Sequence, residues 1–317
     1  PLDLMVHIGE ISAASFNDTI PAKEVWRVSE DGELRDPFKK LTTVFQMSEE
    51  MFFLHYGKDG CNRHVLIDEC RELFGEIYEQ IPELPFCNIW TAMQLSSRLP
   101  KGALFHMGVS NTRRCWNMFQ LPESVESACN VGCCGIDGCV STLVGASLVN
   151  PDRLCYVVVG DLTFFYDLNS LGNHHIGTNL RVMLVNNGRG TEFRLGIHHC
   201  NVFGDDADKY MAAAGHFGNK SPLLVKHYAE DLGFHYLSAT TKEEFMTALS
   251  NFTNPQLSDH SMILEVFTDS KDESEALYLM SHIQSDAKGM VRSKLKDAVR
   301  NVAGEKGINA IKKILKK

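Results

Sequence analysis

Residues 154–187 read LCYVVVGDLTFFYDLNSLGNHHIGTNLRVMLVNN, and the fold turns on how this stretch is read. Two apolar runs, LCYVVV and LRVMLV, stop abruptly at Gly160-Asp161 and at Asn186-Asn187. Such short runs, bounded by small polar residues, predict buried strands. The intervening LTFFYDLNSLGNHH predicts a crossover helix, so both strands run the same way and their C-terminal ends share one edge of a sheet. Ligands of open α/β sheets bind in the crevice there. Asp161 and Asn187 are therefore expected to emerge side by side. A carboxylate, an amide oxygen and a loop carbonyl are hard donors of the kind Mg²⁺ accepts, with phosphate oxygens and water completing an octahedron. The helix start after Asp161 offers N–H groups to a phosphate. The expected ligand is a metal-bound diphosphate. Neither GxxxxGK[ST] nor GxGxxG occurs, which weakens nucleotidase and dinucleotide readings.

Working outward, strands and helices alternate. LDLMVHIG and EVWRVSEDG are strand-like, the second closed by an Asp31-Gly32 turn, and the segment 36–56 has mixed helical character. Residues 64–99 are helical but broken by the prolines of IPELPF. ALFHMGVSN reads as strand and turn, RRCWNMF as a short amphipathic piece, and VGCCGIDGCVSTLVGASL as a turn followed by a helix of small residues. A loop over about 188–220 precedes a helix in SPLLVKHYAEDLG, a strand near FHYLSA, a helix in TKEEFMTALSNF and the strand SMILEVFTD. This alternation predicts an α/β chain with a doubly wound parallel sheet. Three regions are expected: 1–58, the C-terminal part of an α/β domain; 64–282, the main domain; and 283–317, a basic helical tail. Between residues 288 and 317 there are ten Lys or Arg against Asp297 and Glu305. The first reading of that tail is a solvated amphipathic appendage, and the second is docking to a membrane surface or partner.

The chain is long enough, at 317 residues with 44% hydrophobic residues, for a substantial core. A formal net charge of −9 argues against general nucleic-acid binding, which rests on surplus Lys and Arg. No run approaches the length of a membrane span, and no secretory leader is evident. Ten cysteines are spread thinly, and free thiols in a reducing cytoplasm are preferred over a zinc site in the Cys129, Cys133, Cys134, Cys139 cluster.

The Gly160-Asp161 to Asn186-Asn187 pattern resembles the thiamin diphosphate motif of the 2-oxo-acid decarboxylase and acetohydroxyacid synthase superfamily. GDLTFFYDLNSL and NVGCCGIDGCVSTLVGAS, residues 130–147, are similar within it to the 2-succinyl-5-enolpyruvyl-6-hydroxy-3-cyclohexene-1-carboxylate synthase family. The resemblance implies a diphosphate-binding domain that uses thiamin diphosphate and Mg²⁺. Asp161, Asn187 and the Arg189 carbonyl would hold the metal. Ser110, Cys134, Ile136, Gly160, Leu162 and Thr163 would complete the cofactor site, with Ile136 propping the bent cofactor and the Cys134 carbonyl facing its aminopyrimidine. Arg114 and Phe193 would lie on the substrate side. One of His198 and His199 could reach the cofactor, whereas His174 and His175 fall at the far end of the crossover.

Three positions depart from the family. Val131 stands for a substrate-binding arginine, Arg189 for a glycine, and Glu192 for an apolar residue beside the reacting carbon. They favour a 2-oxo-acid carboligase or decarboxylase with a different acceptor. In the family the activating glutamate sits on a separate pyrimidine-binding domain, usually of another subunit. The chain is accordingly expected to be a fragment or one subunit of a homo-oligomeric or split enzyme, inactive without that domain in cis or in trans. A non-catalytic assembly or regulatory subunit and an unrelated Mg²⁺-dependent phosphate-binding enzyme are the other readings.

Overall fold

The computed structural model describes residues 2–9, 22–57, 65–132, 135–195, 198–211, 218 and 220–283. It divides into two compact units, residues 1–75 and 76–317. In the first, β1 (Leu2–Ile8), β2 (Ala22–Ser29) and β3 (Leu41–Gln46) form a parallel three-stranded sheet in the order β1-β2-β3. Residues 41–46, expected to share a mixed helical segment, are a strand. LTTVFQ is β-branched and aromatic, and Phe45 pairs with Val28 in the ladder and packs 5.3 Å from Trp26. The helical part is confined to α1 (Glu49–Tyr56), which Ser48 caps by accepting the Met51 N–H. Next comes α2 (Val65–Glu79), none of whose residues is buried.

The second unit holds α3 (Asn88–Leu95), β4 (Leu104–Met107), α4 (Asn111–Trp116), β5 (Glu126–Cys129), α5 (Cys139–Val149), β6 (Cys155–Gly160), α6 (Asp161–Tyr166) and β7 (Leu180–Asn186). It continues with α7 (Ala207–Tyr210), α8 (Leu224–Asp231), β8 (His235–Ala239), α9 (Lys242–Phe252), β9 (Met262–Phe267) and α10 (Ser270–Ser281). Six strands, all parallel, lie in the order β5-β4-β6-β7-β9-β8. The central strands β6, β7 and β9 are buried on both faces. Tyr156, Val158, Met183, Val185, Leu264 and Val266 point to one core, shared with α3, α4, α9 and α10. Val157, Val159, Val182, Leu184 and Ile263 point to the other, shared with α5, α6 and α8. This is the doubly wound parallel sheet that the alternating pattern implies.

Two local differences from the expectation bear on the site. The edge strand β5 was not anticipated, because ESAC is too short and too exposed to carry a periodic signal. The crossover helix is also shorter than LTFFYDLNSLGNHH suggested. α6 stops at Tyr166 and yields to a 3₁₀ turn over Leu168–Gly172, with His174 and His175 beyond it. The break sits at Asp167, whose carboxylate accepts the Ser141 N–H at 2.6 Å in the first turn of α5. An acceptor there satisfies an orphan helix donor and suits the helix dipole, and Asp167 is drawn out of its own helix to supply it. The tail from residue 284 onward, with its basic residues, lies outside the described residues. Among the described residues no helix is long and apolar enough to cross a membrane.

Candidate functional site

The sheet reverses its order at β4. The chain steps from β4 outward to β5, then returns to lay β6 on the other side of β4. The crevice at the carboxyl ends of β4 and β6 is thus a topological switch point, where the loops diverge and leave room for a ligand. A cleft of about 150 Å³ opens there. It is built from the β4–α4 loop, the loop before α5, the β6–α6 junction and the turn after β7.

Gly160 pairs with Val185 in the β6–β7 ladder, which brings Asp161 level with the end of β7. Asp161 is 2% exposed. Its Oδ1 accepts the Leu162 N–H at 2.7 Å, and its Oδ2 accepts the Gly188 N–H at 2.6 Å, so one carboxylate ties the two strand ends together. Gly188 adopts φ +80°, a conformation L side chains rarely take, and this turns its N–H toward Asp161. The two asparagines divide their work by strand alternation. Asn186 is buried and donates to Glu265 Oε1 at 2.7 Å, while Tyr236 donates to Glu265 Oε2 at 2.7 Å. Asn187 instead lines the cleft, where its Oδ1 accepts the Arg189 N–H at 3.3 Å. Burial raises the Glu265 carboxyl above the usual carboxylate range, and the Asp161 charge adds a smaller push.

Ser110, Ile136, Gly160, Asp161, Leu162, Thr163, Asn187, Arg189 and Phe193 all line this one cleft. Ser110 does so with φ +60° and ψ −122°, a strained conformation for a residue with a side chain. Cys134 lies outside the described residues, as does Cys133. Arg114 reaches the cleft through an ion pair: its Nη1 and Nη2 donate to the two oxygens of Glu192 at 2.7 and 2.8 Å. That contact raises the Arg114 pKa further. His198 packs edge-on against Phe193, ring centroids 5.2 Å apart, and its Nδ1 accepts the Cys200 N–H. His199 is exposed, and His174 lines a different depression of the surface.

Two groups at the cleft, and a third behind its wall, were not singled out in the sequence. Thr191 is 4% exposed and lines the cleft, yet its hydroxyl has no hydrogen-bond partner in the structure. An orphaned buried hydroxyl is costly and fits a ligand oxygen. Asn88, at the start of α3, forms part of the wall; its Oδ1 accepts the Trp116 Nε1–H at 2.9 Å and its N–H donates to Glu273 at 3.0 Å. Glu273 itself is fully buried, and that burial pushes its carboxyl up to about 7. No motif marks these residues, because their burial is created by contacts far along the chain.

Among the described residues no group of three or more His, Cys, Asp or Glu is set to hold a metal. A cation here would rely on Asp161 together with amide and backbone oxygen, a set suited to a hard ion that keeps water and phosphate ligands. Cys70, Cys87, Cys115, Cys139, Cys155 and Cys200 are free thiols.

The chain is 33% identical over 263 residues to 2-succinyl-5-enolpyruvyl-6-hydroxy-3-cyclohexene-1-carboxylate synthase of Bacteroides fragilis, a match covering 81% of this chain and 45% of that protein. The same-named protein of Phocaeicola vulgatus is 32% identical over 265 residues, 81% of this chain and 44% of the relative. That of Flavobacterium psychrophilum is 30% identical over 248 residues, covering 75% and 42%. Over about four-fifths of its length the chain is thus similar to proteins of the 2-succinyl-5-enolpyruvyl-6-hydroxy-3-cyclohexene-1-carboxylate synthase family. No protein-family model matches it. The chain spans less than half the length of these curated relatives. Enzymes of this family depend on thiamin diphosphate and a divalent metal ion. The donor set of the cleft fits such a pair: buried carboxylate, amide and hydroxyl oxygens converge where a phosphate-bound cation needs them.

Proposed function

We propose that this chain is the diphosphate-binding part of a thiamin diphosphate- and Mg²⁺-dependent enzyme that removes CO₂ from a 2-oxo acid and passes the remaining acyl unit to an acceptor. One observation carries the reading. At the switch point of the sheet, the Asp161 carboxylate spans the ends of β6 and β7, with Asn187 and the unpartnered Thr191 hydroxyl in the same cleft. In this reading Asp161, the Asn187 side chain and the Arg189 carbonyl hold the metal. Ser110, Leu162, Thr163 and Thr191 face the diphosphate. Ile136 presses against the cofactor, and Phe193 keeps water from the reacting side. Bound there, thiamin diphosphate would supply the carbanion and the electron sink that loss of CO₂ requires.

The activating carboxylate would come from a pyrimidine-binding domain, in cis or from another subunit of an oligomer. Exposed apolar groups just past the site, Val202, Phe203 and Tyr210, suit a partner surface. A non-catalytic assembly subunit is the second reading, favoured by the ion pair that ties up Arg114.

Calorimetric titration with thiamin diphosphate, with and without Mg²⁺, tests the proposal on the chain alone and on the chain mixed with the N-terminal half of a family relative. Mg²⁺-dependent binding that Asp161→Ala abolishes is expected. No binding in either preparation would overturn it, and binding without decarboxylation of any 2-oxo acid in the reconstituted complex would select the assembly reading.

A further inference from the structure

The Arg114–Glu192 pair does more than fill space in the cleft. Arg114 follows the Ser110 turn on α4, and Glu192 comes from the 3₁₀ turn after β7, 78 residues away. The two form a fork in which both terminal guanidinium nitrogens meet both carboxylate oxygens, at 2.7 and 2.8 Å, with side chains only 32% and 24% exposed. Two-pronged Arg–carboxylate contacts are among the strongest and most directional a protein makes. Arg114 Nη1 also lies 3.4 Å from Asn111 Oδ1, so both terminal nitrogens of the guanidinium are engaged. Glu192, by contrast, lines the cleft.

Resting on the reading above, we infer that Glu192 is a specificity-determining residue that occupies the carboxylate site of Arg114 from within, so that the cleft selects 2-oxo acids with uncharged side chains over 2-oxo dicarboxylates. A ligand carboxylate seeking Arg114 has two routes. It displaces Glu192, leaving that carboxylate without its partner in a half-buried site, or it lies beside the intact pair and meets a like charge. Either route costs binding energy that an uncharged chain end does not. Among the described residues that line the cleft, Arg189 is the other cation; it sits two residues from Asn187, on the turn held by Asp161, rather than beside Arg114.

Two ligand pairs of equal length isolate the terminal carboxylate: 2-oxoglutarate against 2-oxopentanoate, and glutarate against pentanoate. The first pair is titrated calorimetrically into the full chain saturated with thiamin diphosphate and Mg²⁺. The second is followed by ligand-observed NMR on the cofactor-free chain, so this arm stands even if the cofactor does not bind. Wild type is expected to prefer each monocarboxylate, on the order of ten-fold. Glu192→Gln, which keeps shape and removes charge, is expected to shift both ratios toward the dicarboxylate by about ten-fold or more, and Arg114→Gln/Glu192→Gln to abolish that gain. Thermal melts and cofactor isotherms report whether each variant is folded and loaded. Unchanged ratios in folded Glu192→Gln, or tight dicarboxylate binding by wild type, would overturn the inference. Failure of cofactor binding with the expected glutarate shift would instead remove the functional reading and leave the charge preference standing.

Discussion

Replacing Glu273 with glutamine should alter the stability of the site-bearing unit in a way that depends on pH and can be worked from the structure. The Glu273 carboxyl is 2% exposed. Its Oε1 accepts the Asn88 N–H at 3.0 Å and the Thr268 hydroxyl at 2.7 Å, while Oε2 has no partner. Burial dominates these two bonds and moves its pKa from 4.5 to about 7. A raised folded-state value means that the folded chain holds the proton more tightly than the unfolded chain. The resulting stabilisation is therefore fully present below the unfolded value of 4.5 and fades as pH rises through about 7.

Between about pH 5 and about pH 8, a shift of this size removes roughly 2.5 kcal/mol from the wild type, at about 1.4 kcal/mol per unit of pKa. Glu273→Gln preserves an oxygen for Asn88 and Thr268 but cannot ionise, so it should lose none of that amount. The buried amide costs roughly 1–3 kcal/mol at every pH, because its N–H₂ replaces an oxygen that had no donor. The variant is thus expected to be less stable than wild type near pH 5 and to draw level or overtake it near pH 8. Urea unfolding followed by tryptophan fluorescence in a Trp26→Phe background reads this unit alone, since Trp90 and Trp116 both belong to it. Trp116 hydrogen-bonds Asn88, next to the mutated group. Parallel pH profiles for wild type and variant would refute the argument, because the titrating group would then lie elsewhere.

Ser110→Gly should raise thermal stability by on the order of 1 kcal/mol, because glycine accepts the φ +60° conformation without strain; a fall in melting temperature would mean that the hydroxyl holds the loop. Thr191→Val is expected to stabilise the ligand-free chain by about 1 kcal/mol, by removing an unpartnered buried hydroxyl. The same change should weaken Mg²⁺-dependent thiamin diphosphate binding several-fold in calorimetry, and an unchanged affinity would remove Thr191 from the cofactor site.

The contrast between these residues shows what a one-dimensional reading can reach. Asp161 and Asn187 were legible because each ends an apolar run, and parallel pairing leaves little choice about where two such ends emerge. The doubly wound sheet was legible for the same reason: strands buried on both faces read as unbroken β-branched runs. Even within Asn186-Asn187, however, the alternation of a strand sends the first side chain to Glu265 and leaves the second at the cleft, and only the register decides which.

The groups that stayed hidden are those whose chemistry depends on distant partners. Glu273 becomes a neutral-range acid because α10 packs it beneath Asn88, 185 residues earlier. Glu192 stood out in the sequence only as a charge where the family has an apolar residue. Its consequence emerges from Arg114, 78 residues away, whose guanidinium it occupies with both oxygens. Here the departure from the family and the geometry constrain each other. An unpaired Glu192 in a half-buried cleft would repel a diphosphate and an anionic substrate alike, whereas the paired one and its arginine cancel each other's charge. The proposed reading of retained cofactor chemistry with an altered donor rests on both halves of this arrangement: Asp161 and Asn187 at one end of the cleft, and an Arg114 whose charge Glu192 already meets.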